Sequence, residues 1–252
     1  MESPHNAQVI ELFHIAFLGV LSKRLAHSRF ILKGGANLRY FFDSVRYSED
    51  IDLDLNGVAP WSLGEKVDKV LDSATLEAIL RVPGISIAEK SKPKQTETTR
   101  RWKVGLAVPG RDRLVRTKIE FSGRDTEEDR FQIEAVPRRI VAPYALRAPS
   151  VQHYLGEAMS EQKVLALAQR SQTQARDVFD LDLLLHRYPL SAGTFASKVL
   201  DRAAEQALAL PYAAFRDQVL PFLEPDVAED YSDPEAWASM QTFVAGELEA
   251  AR

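Results

Sequence analysis

Six consecutive residues, Asp50-Ile51-Asp52-Leu53-Asp54-Leu55, alternate strictly between a carboxylate and an aliphatic side chain. An extended strand sorts such an alternation onto two faces, because residues two apart share a face at a separation of roughly 6–7 Å. Ile51, Leu53 and Leu55 then need a core, while Asp50, Asp52 and Asp54 crowd the opposite face. Like charges that close repel, so their clustering points to a cation among them. Any fold for this chain must bury one side of this strand and keep the other for charge.

The residues upstream suit that demand. Phe30-Ile31-Leu32 reads as a short buried strand, and Lys33-Gly34-Gly35 turns the chain into a helix from about Ala36 to Phe42. Glycines there admit close approach of a ligand to the backbone, and the free N–H groups of a helix start attract phosphate. Taken alone, the turn is more simply a plain strand-to-helix connection. The spacing predicts a preceding helix over Asn6–Ala26, a loop over Asp43–Glu49 and a crossover helix over Trp61–Arg81. Strands are predicted at Ile85–Ala88, Arg101–Val108 and Arg113–Phe121, with Lys90–Thr99, which contains Pro93, as an exposed and mobile linker.

In Arg113–Phe121, Val115, Thr117, Ile119 and Phe121 form one face and Arg116, Lys118 and Glu120 the other. Were this strand to lie beside Asp50–Leu55, Glu120 would join the carboxylates; the competing reading is a solvated face with a cross-strand ion pair. Phe131–Tyr144 is extended and broken by prolines, and Pro143–Pro149 is the best boundary, giving domains 1–148 and 149–252. Beyond it the spacing is helical, over about Leu155–Gln172, Gln174–Arg187, Ala192–Leu208, Pro211–Phe222 and Pro234–Ala250.

Absence of cysteine removes disulfides, thiolate metal sites and a thiol nucleophile, and the five scattered histidines show no ligand spacing. No Gly-x-Ser-x-Gly elbow and no kinase signatures are present. No apolar stretch approaches the roughly 18–20 residues that span a bilayer, and no leader pattern is seen, so a cytoplasmic protein without membrane contact is expected. The net charge of -4 conceals a polarity: Lys90–Lys118 carries ten Lys/Arg against two acids, whereas from Asp201 onward there are eleven acids and three Arg. Such a distribution suits one anion-facing surface on a solvated body.

A second charged block follows the boundary. Lys163, Leu167 and Arg170 fall at i, i+4 and i+7 of a helix, and Arg176-Asp177-Val178-Phe179-Asp180-Leu181 opens the next. Asp177 shares its face with Leu181 and Leu184, so it points inward and needs a partner, for which Arg170 and Lys163 are candidates. Alone, such a block is more simply a salt bridge between neighbouring helices.

Taken in order, Gly34-Gly35, Ser48-x-Asp50-x-Asp52, Lys163 and Arg176-Asp177-x-x-Asp180-Leu181 resemble the AbiEii/AbiGii toxin family of nucleotidyltransferases, relatives of the DNA polymerase β superfamily. Ser160-Glu161 departs from the Thr-Leu that usually precedes the family's lysine. The resemblance implies an α/β (α+β) fold: a polymerase β-like mixed sheet with a C-terminal helical domain that contributes Lys163 and Asp177 to the active-site cleft. It implies transfer of a nucleoside monophosphate from an NTP to an acceptor hydroxyl, with Asp50 and Asp52, joined by Glu120, holding two Mg²⁺ ions (Mn²⁺ as a substitute). It further implies that Lys163 contacts the triphosphate and that Asp177 completes the site, with Asp180 as the second choice for that carboxylate and more simply a structural residue. Lys33, Gly34, Gly35, Arg46 and Ser48 are the remaining phosphate-binding candidates.

The implied acceptor is RNA, specifically the 3′ end of tRNA, with a cognate antitoxin as a further partner. Arg100, Arg101, Lys103, Arg116 and Lys118 are the residues suited to an RNA backbone, and Trp102 is either a stacking ring or, more simply, core. The rival readings are nucleotidylation of a protein hydroxyl, an NTP-binding module and a kinase-like enzyme.

Overall fold

The computed structural model describes residues 5–123 and 130–252. The chain forms two compact units: one runs through Phe41 and resumes over Tyr47–Tyr154, and the other comprises Phe42–Arg46 and Leu155–Arg252.

The first unit is a mixed sheet with helices. Its elements in chain order are α1 (Asn6–Leu21), β1 (Phe30–Lys33), α2 (Gly34–Phe41), β2 (Asp50–Leu55), α3 (Gly64–Leu71), α4 (Ala74–Arg81), β3 (Ser86–Gln95), β4 (Thr99–Ala107), β5 (Val115–Gly123), β6 (Phe131–Ala135), α5 (Arg138–Val141) and β7 (Ser150–Tyr154). The strand order is β3-β4-β5-β2-β1-β7-β6. The carboxylate strand β2 is therefore central, antiparallel to β1 and parallel to β5. A central strand with one apolar face needs cover on that side only. Ile51 and Leu53 are fully buried in one cluster with Phe30, Leu32, Ile119 and Phe121 from the neighbouring strands and Phe13, Phe17 and Leu76 from α1 and α4.

Trp102 lies in this core, fully buried, with its indole N–H donated to Asp68 Oδ1 at 3.0 Å. It is a packing residue and presents no face to a base. Two other expectations change. The segment after residue 89, expected to be a linker, continues β3 to Gln95. Pro93 is tolerated because β3 is an edge strand, and the register shifts between Ser91 and Lys94, where a residue with no N–H interrupts the ladder. The single helix expected over Trp61–Arg81 is a one-turn 3₁₀ segment, Pro60–Leu63, followed by α3 and α4. Ser73 separates the last two by capping α4, its hydroxyl accepting from Leu76 N at 3.2 Å.

The second unit contains α6 (Gly156–Gln169), α7 (Ala175–Leu185), α8 (Ser197–Ala209), α9 (Tyr212–Gln218) and α10 (Pro234–Ala250). Val164, Leu167, Val178, Leu181, Leu200, Phe215, Trp237 and Val244 share its core. The five residues Phe42–Arg46 are stitched to it: Val45 O accepts from Glu224 N at 2.9 Å, and Arg46 bridges Leu223. The division between units falls after β7, six residues beyond the expected boundary, because Ser150–Tyr154 pairs with β1 and β6 instead of opening the helices. Among the described residues no helix is long and apolar enough to cross a membrane.

Candidate active site

The charged face of the sheet can be built row by row from the pairing registers. Asp50 lies opposite Lys118, Asp52 opposite Glu120 and Asp54 opposite Ser122. On the other flank Lys33 lies opposite Asp52. One strand further out, Lys103 faces Lys118 and Arg101 faces Glu120. Alternation thus places Asp50, Asp52, Asp54, Lys118, Glu120, Lys33, Arg101 and Lys103 on one surface, as the parallel placement of β5 beside β2 requires.

The three aspartates differ in environment. Asp54 is buried; Lys33 Nζ stands 2.5 Å from its Oδ1, and the Tyr154 hydroxyl donates to its Oδ2 at 2.9 Å. No local signal marks Tyr154 as a partner of Asp54, since it arrives on a strand a hundred residues later. Asp50 is half-buried, with Lys118 Nζ 2.5 Å from Oδ2 and the Lys118 backbone N–H donating to Oδ1 at 3.1 Å. Lys118 itself is 41% exposed, so this bridge is of the solvated kind that contributes little and yields readily to a competing cation.

Glu120 stands where the register places it, but its Oε2 is held by Arg101, 2.6 Å from Nε and 2.5 Å from Nη2. Arg101 is correspondingly engaged, as are Arg116 with Glu89 at 3.0 Å and Arg100 with Gln95 at 3.2 Å, whereas Lys103 is exposed. Among the described residues no group of three or more His, Cys, Asp or Glu is arranged to hold a metal ion. The donor set still fits Mg²⁺. That ion accepts one or two carboxylates and fills its shell with water and substrate phosphate, and Asp50 and Asp52 offer two hard oxygen donors on one strand face.

The glycine turn abuts this pair. Gly34 has φ +67°, and a Cβ placed on it would lie 3.1 Å from Asp52 Oδ2. Glycine is required here for two reasons: the left-handed backbone and the closeness of the carboxylate. The first turn of α2 therefore starts beside Asp52. Ser48 fixes the entry to β2, its hydroxyl donating to Asp50 O at 2.8 Å. Gly34→Ala is expected to cost about 1–3 kcal/mol of stability through backbone strain. Thermal unfolding of the variant checks it.

The helical unit holds the second charged group. Lys163 is 8% exposed, its ammonium 2.9 Å from Asp177 Oδ1 and 2.5 Å from Asp180 Oδ2. Arg170 Nη1 lies 3.1 Å from Asp177 Oδ2, an ion-pair distance without hydrogen-bond alignment. Both partners expected for the inward-facing Asp177 are present. Arg46, expected at the phosphates, instead grips Asp180 with Nε at 3.1 Å and Nη2 at 2.9 and 2.8 Å and is itself buried. Burial alone would raise the Asp180 carboxyl; Arg46 and Lys163 overcome it and hold the group below the usual carboxylate range. Asp180 is thus the structural centre of this network, tying α6, α7 and Phe42–Arg46 together.

A family model described as nucleotidyl transferase AbiEii toxin, type IV toxin–antitoxin system, matches residues 16–250. Among solved structures, JHP933 from Helicobacter pylori superimposes with a TM-score of 0.58 at 19% identity, covering 99% of this chain and 96% of that one. MenT4, a nucleotidyltransferase toxin from Mycobacterium tuberculosis H37Rv, gives a TM-score of 0.51 at 16% identity over 98% of this chain and 94% of that one. At these identities the likeness establishes a shared fold. No match was found among curated protein sequences.

Proposed function

The chain belongs to the AbiEii nucleotidyl transferase toxin family of type IV toxin–antitoxin systems, and on that premise we propose that it moves a nucleoside monophosphate from an NTP to a hydroxyl at the 3′ end of tRNA, releasing pyrophosphate. The observation that carries this reading is the meeting of the α2 start with the Asp50–Asp52 edge, 3.1 Å separating a Cβ position on Gly34 from Asp52 Oδ2. One element attracts phosphate and the other a hard cation.

Asp50 and Asp52 would hold Mg²⁺, two ions in the proposal, with Mn²⁺ as a substitute. Bound there, the metal supplies charge neutralisation on the phosphates and a lower pKa for the acceptor hydroxyl. The protein's own groups position. The Gly34–Gly35 backbone donates to phosphate oxygens, and Ser48 sets the start of β2. Lys33, clamped on Asp54, places a fixed positive charge one row from Asp52. Glu120, now held by Arg101, would be the third oxygen donor to that metal. For Lys163 and Asp177 we retain the roles the resemblance implies, triphosphate contact and active-site carboxylate. Transfer of this kind depends on positioning and charge stabilisation more than on covalent help from the enzyme.

The choice of RNA as acceptor is supported by the basic strands β3 to β5, where Lys103 is exposed and Arg116 makes a solvated pair with Glu89, so that these cations can meet phosphate. A cognate antitoxin is the proposed protein partner. Incubation with α-labelled NTP, Mg²⁺ and total tRNA should place label in the tRNA band of a denaturing gel, and RNase should remove it. Label that stays on protein after RNA digestion would contradict the tRNA acceptor and favour a protein hydroxyl.

A further inference from the structure

Two polar side chains meet in the apolar core of the first unit. His14 is 1% exposed on α1, between Phe13 and Ile15, and Thr117 is 3% exposed on the face of β5 that otherwise carries Val115, Ile119 and Phe121. His14 Nε2 stands 2.7 Å from Thr117 Oγ1, and that hydroxyl stands 2.7 Å from Glu49 O. A carbonyl oxygen can only accept, so the one hydroxyl proton goes to Glu49 O and the hydroxyl itself accepts from His14 Nε2–H. Burial pushes the His14 pKa down to about 3, so the ring is neutral and its single proton is the one this relay uses. The relay therefore has a direction, from α1 through β5 to the backbone that enters β2.

Its end point sets it apart from ordinary packing. The ladder between β2 and β5 begins with Asp50 opposite Lys118. Glu49 and Thr117 stand one residue before that first pair, and there the hydroxyl takes up the carbonyl. The first residue of a strand is held from one side only and opens most easily. Asp50 is that residue, and it is half of the Asp50–Asp52 edge. The Lys118 N–H holds its Oδ1 at 3.1 Å, the Ser48 hydroxyl holds its carbonyl at 2.8 Å, and Thr117 holds the preceding carbonyl from the core. A leucine at 14 and a valine at 117 would fill similar space without burying an imidazole and a hydroxyl. Replacing both partners of a buried hydrogen bond by apolar groups of like shape is close to neutral for stability. What the polar pair adds is a fixed position for Glu49 O.

Resting on the reading that Asp50 and Asp52 hold a divalent cation, we propose that Thr117, supported by His14, is a positioning residue for that cation, fixing the Glu49 carbonyl so that the Asp50 carboxylate is held in one geometry. Mg²⁺ demands near-octahedral order, which a loosely held ligand supplies poorly. Mn²⁺ titration of the full-length protein without NTP, followed through the EPR signal of the free ion, measures this apart from turnover. Thr117→Val should weaken Mn²⁺ binding by about 10- to 100-fold, the loss expected when a group that orients a metal ligand is removed. Thr117→Ser, which keeps the hydroxyl, should bind within a few-fold of the parent. The double variant His14→Leu/Thr117→Val, which leaves no imidazole N–H unpaired in the core, should melt close to the parent and still show the loss.

A double variant that melts like the parent and binds Mn²⁺ as tightly overturns this inference, since the hydroxyl would then serve folding alone. A Thr117→Ser variant as weak as Thr117→Val overturns it too, and so does unfolding of both valine variants, which would make the pair a structural one. In each of these cases Asp50→Ala still loses Mn²⁺ and the metal reading stands. If Asp50→Ala binds Mn²⁺ as the parent does, the metal reading falls and this inference falls with it.

Discussion

Asp52→Ala is expected to reduce nucleotidyl transfer by at least about a thousandfold, because the Mg²⁺ proposed on the Asp50–Asp52 edge would supply several kcal/mol of charge stabilisation and each 1.4 kcal/mol is tenfold in rate. The fold should survive. Asp52 is half-buried on the charged face of β2, so its truncation opens no cavity in the apolar core. A thermal unfolding midpoint close to that of the parent, together with loss of label transfer, would assign the effect to chemistry. Activity within tenfold of the parent would remove Asp52 from the site.

The second large effect is on stability. Asp180→Ala removes the carboxylate that Arg46 grips and that Lys163 approaches to 2.5 Å, both side chains being buried. Breaking a buried ion pair from one side costs about 3–5 kcal/mol, because the partner's charge keeps its desolvation penalty. The folded-state Asp180 carboxyl lies below its ordinary value, so its contribution is complete above the unfolded carboxylate pKa of about 3.9 and is lost as pH falls through the lower folded value. The gap between parent and variant should therefore be constant from pH 7 down to about 5 and should narrow below about 4. Urea unfolding followed through Trp237, buried in the helical core, measures it where the change is made. A variant as stable as the parent would show that Arg46 and Lys163 do not depend on Asp180.

Local pattern carried much of this architecture. The alternation of β2 and the glycine turn into α2 are visible in a few residues, because both follow from immediate neighbours. Asp177 was legible for the same reason: its spacing to Leu181 and Leu184 on one helix turned it inward, and both expected partners are there. What escaped depends on distant chain. Ser150–Tyr154 has no alternation, since Val151, Gln152, His153 and Tyr154 are all buried, and only pairing with β1 and β6 makes it a strand. Pro93 reads as a loop unless the strand is known to lie at an edge. Arg46 looked like a phosphate ligand beside Ser48, yet its carboxylate lies 134 residues away. β5 lies beside β2 and sets Glu120 opposite Asp52, and the cross-strand ion pair that was the competing reading is present too, made with Arg101. Helix spacing did not separate α3 from α4, although Ser73, a good capping residue, stood at the break.

The most direct test of the central claim, divalent-cation-dependent nucleotidyl transfer at the Asp50–Asp52 edge beneath Gly34, is identification of the small product released from NTP when tRNA and Mg²⁺ are supplied. Pyrophosphate equal in amount to the nucleotide incorporated, and none after chelation of the metal, is the expected result. Release of nucleoside diphosphate, or pyrophosphate formation undiminished by chelation, would contradict it.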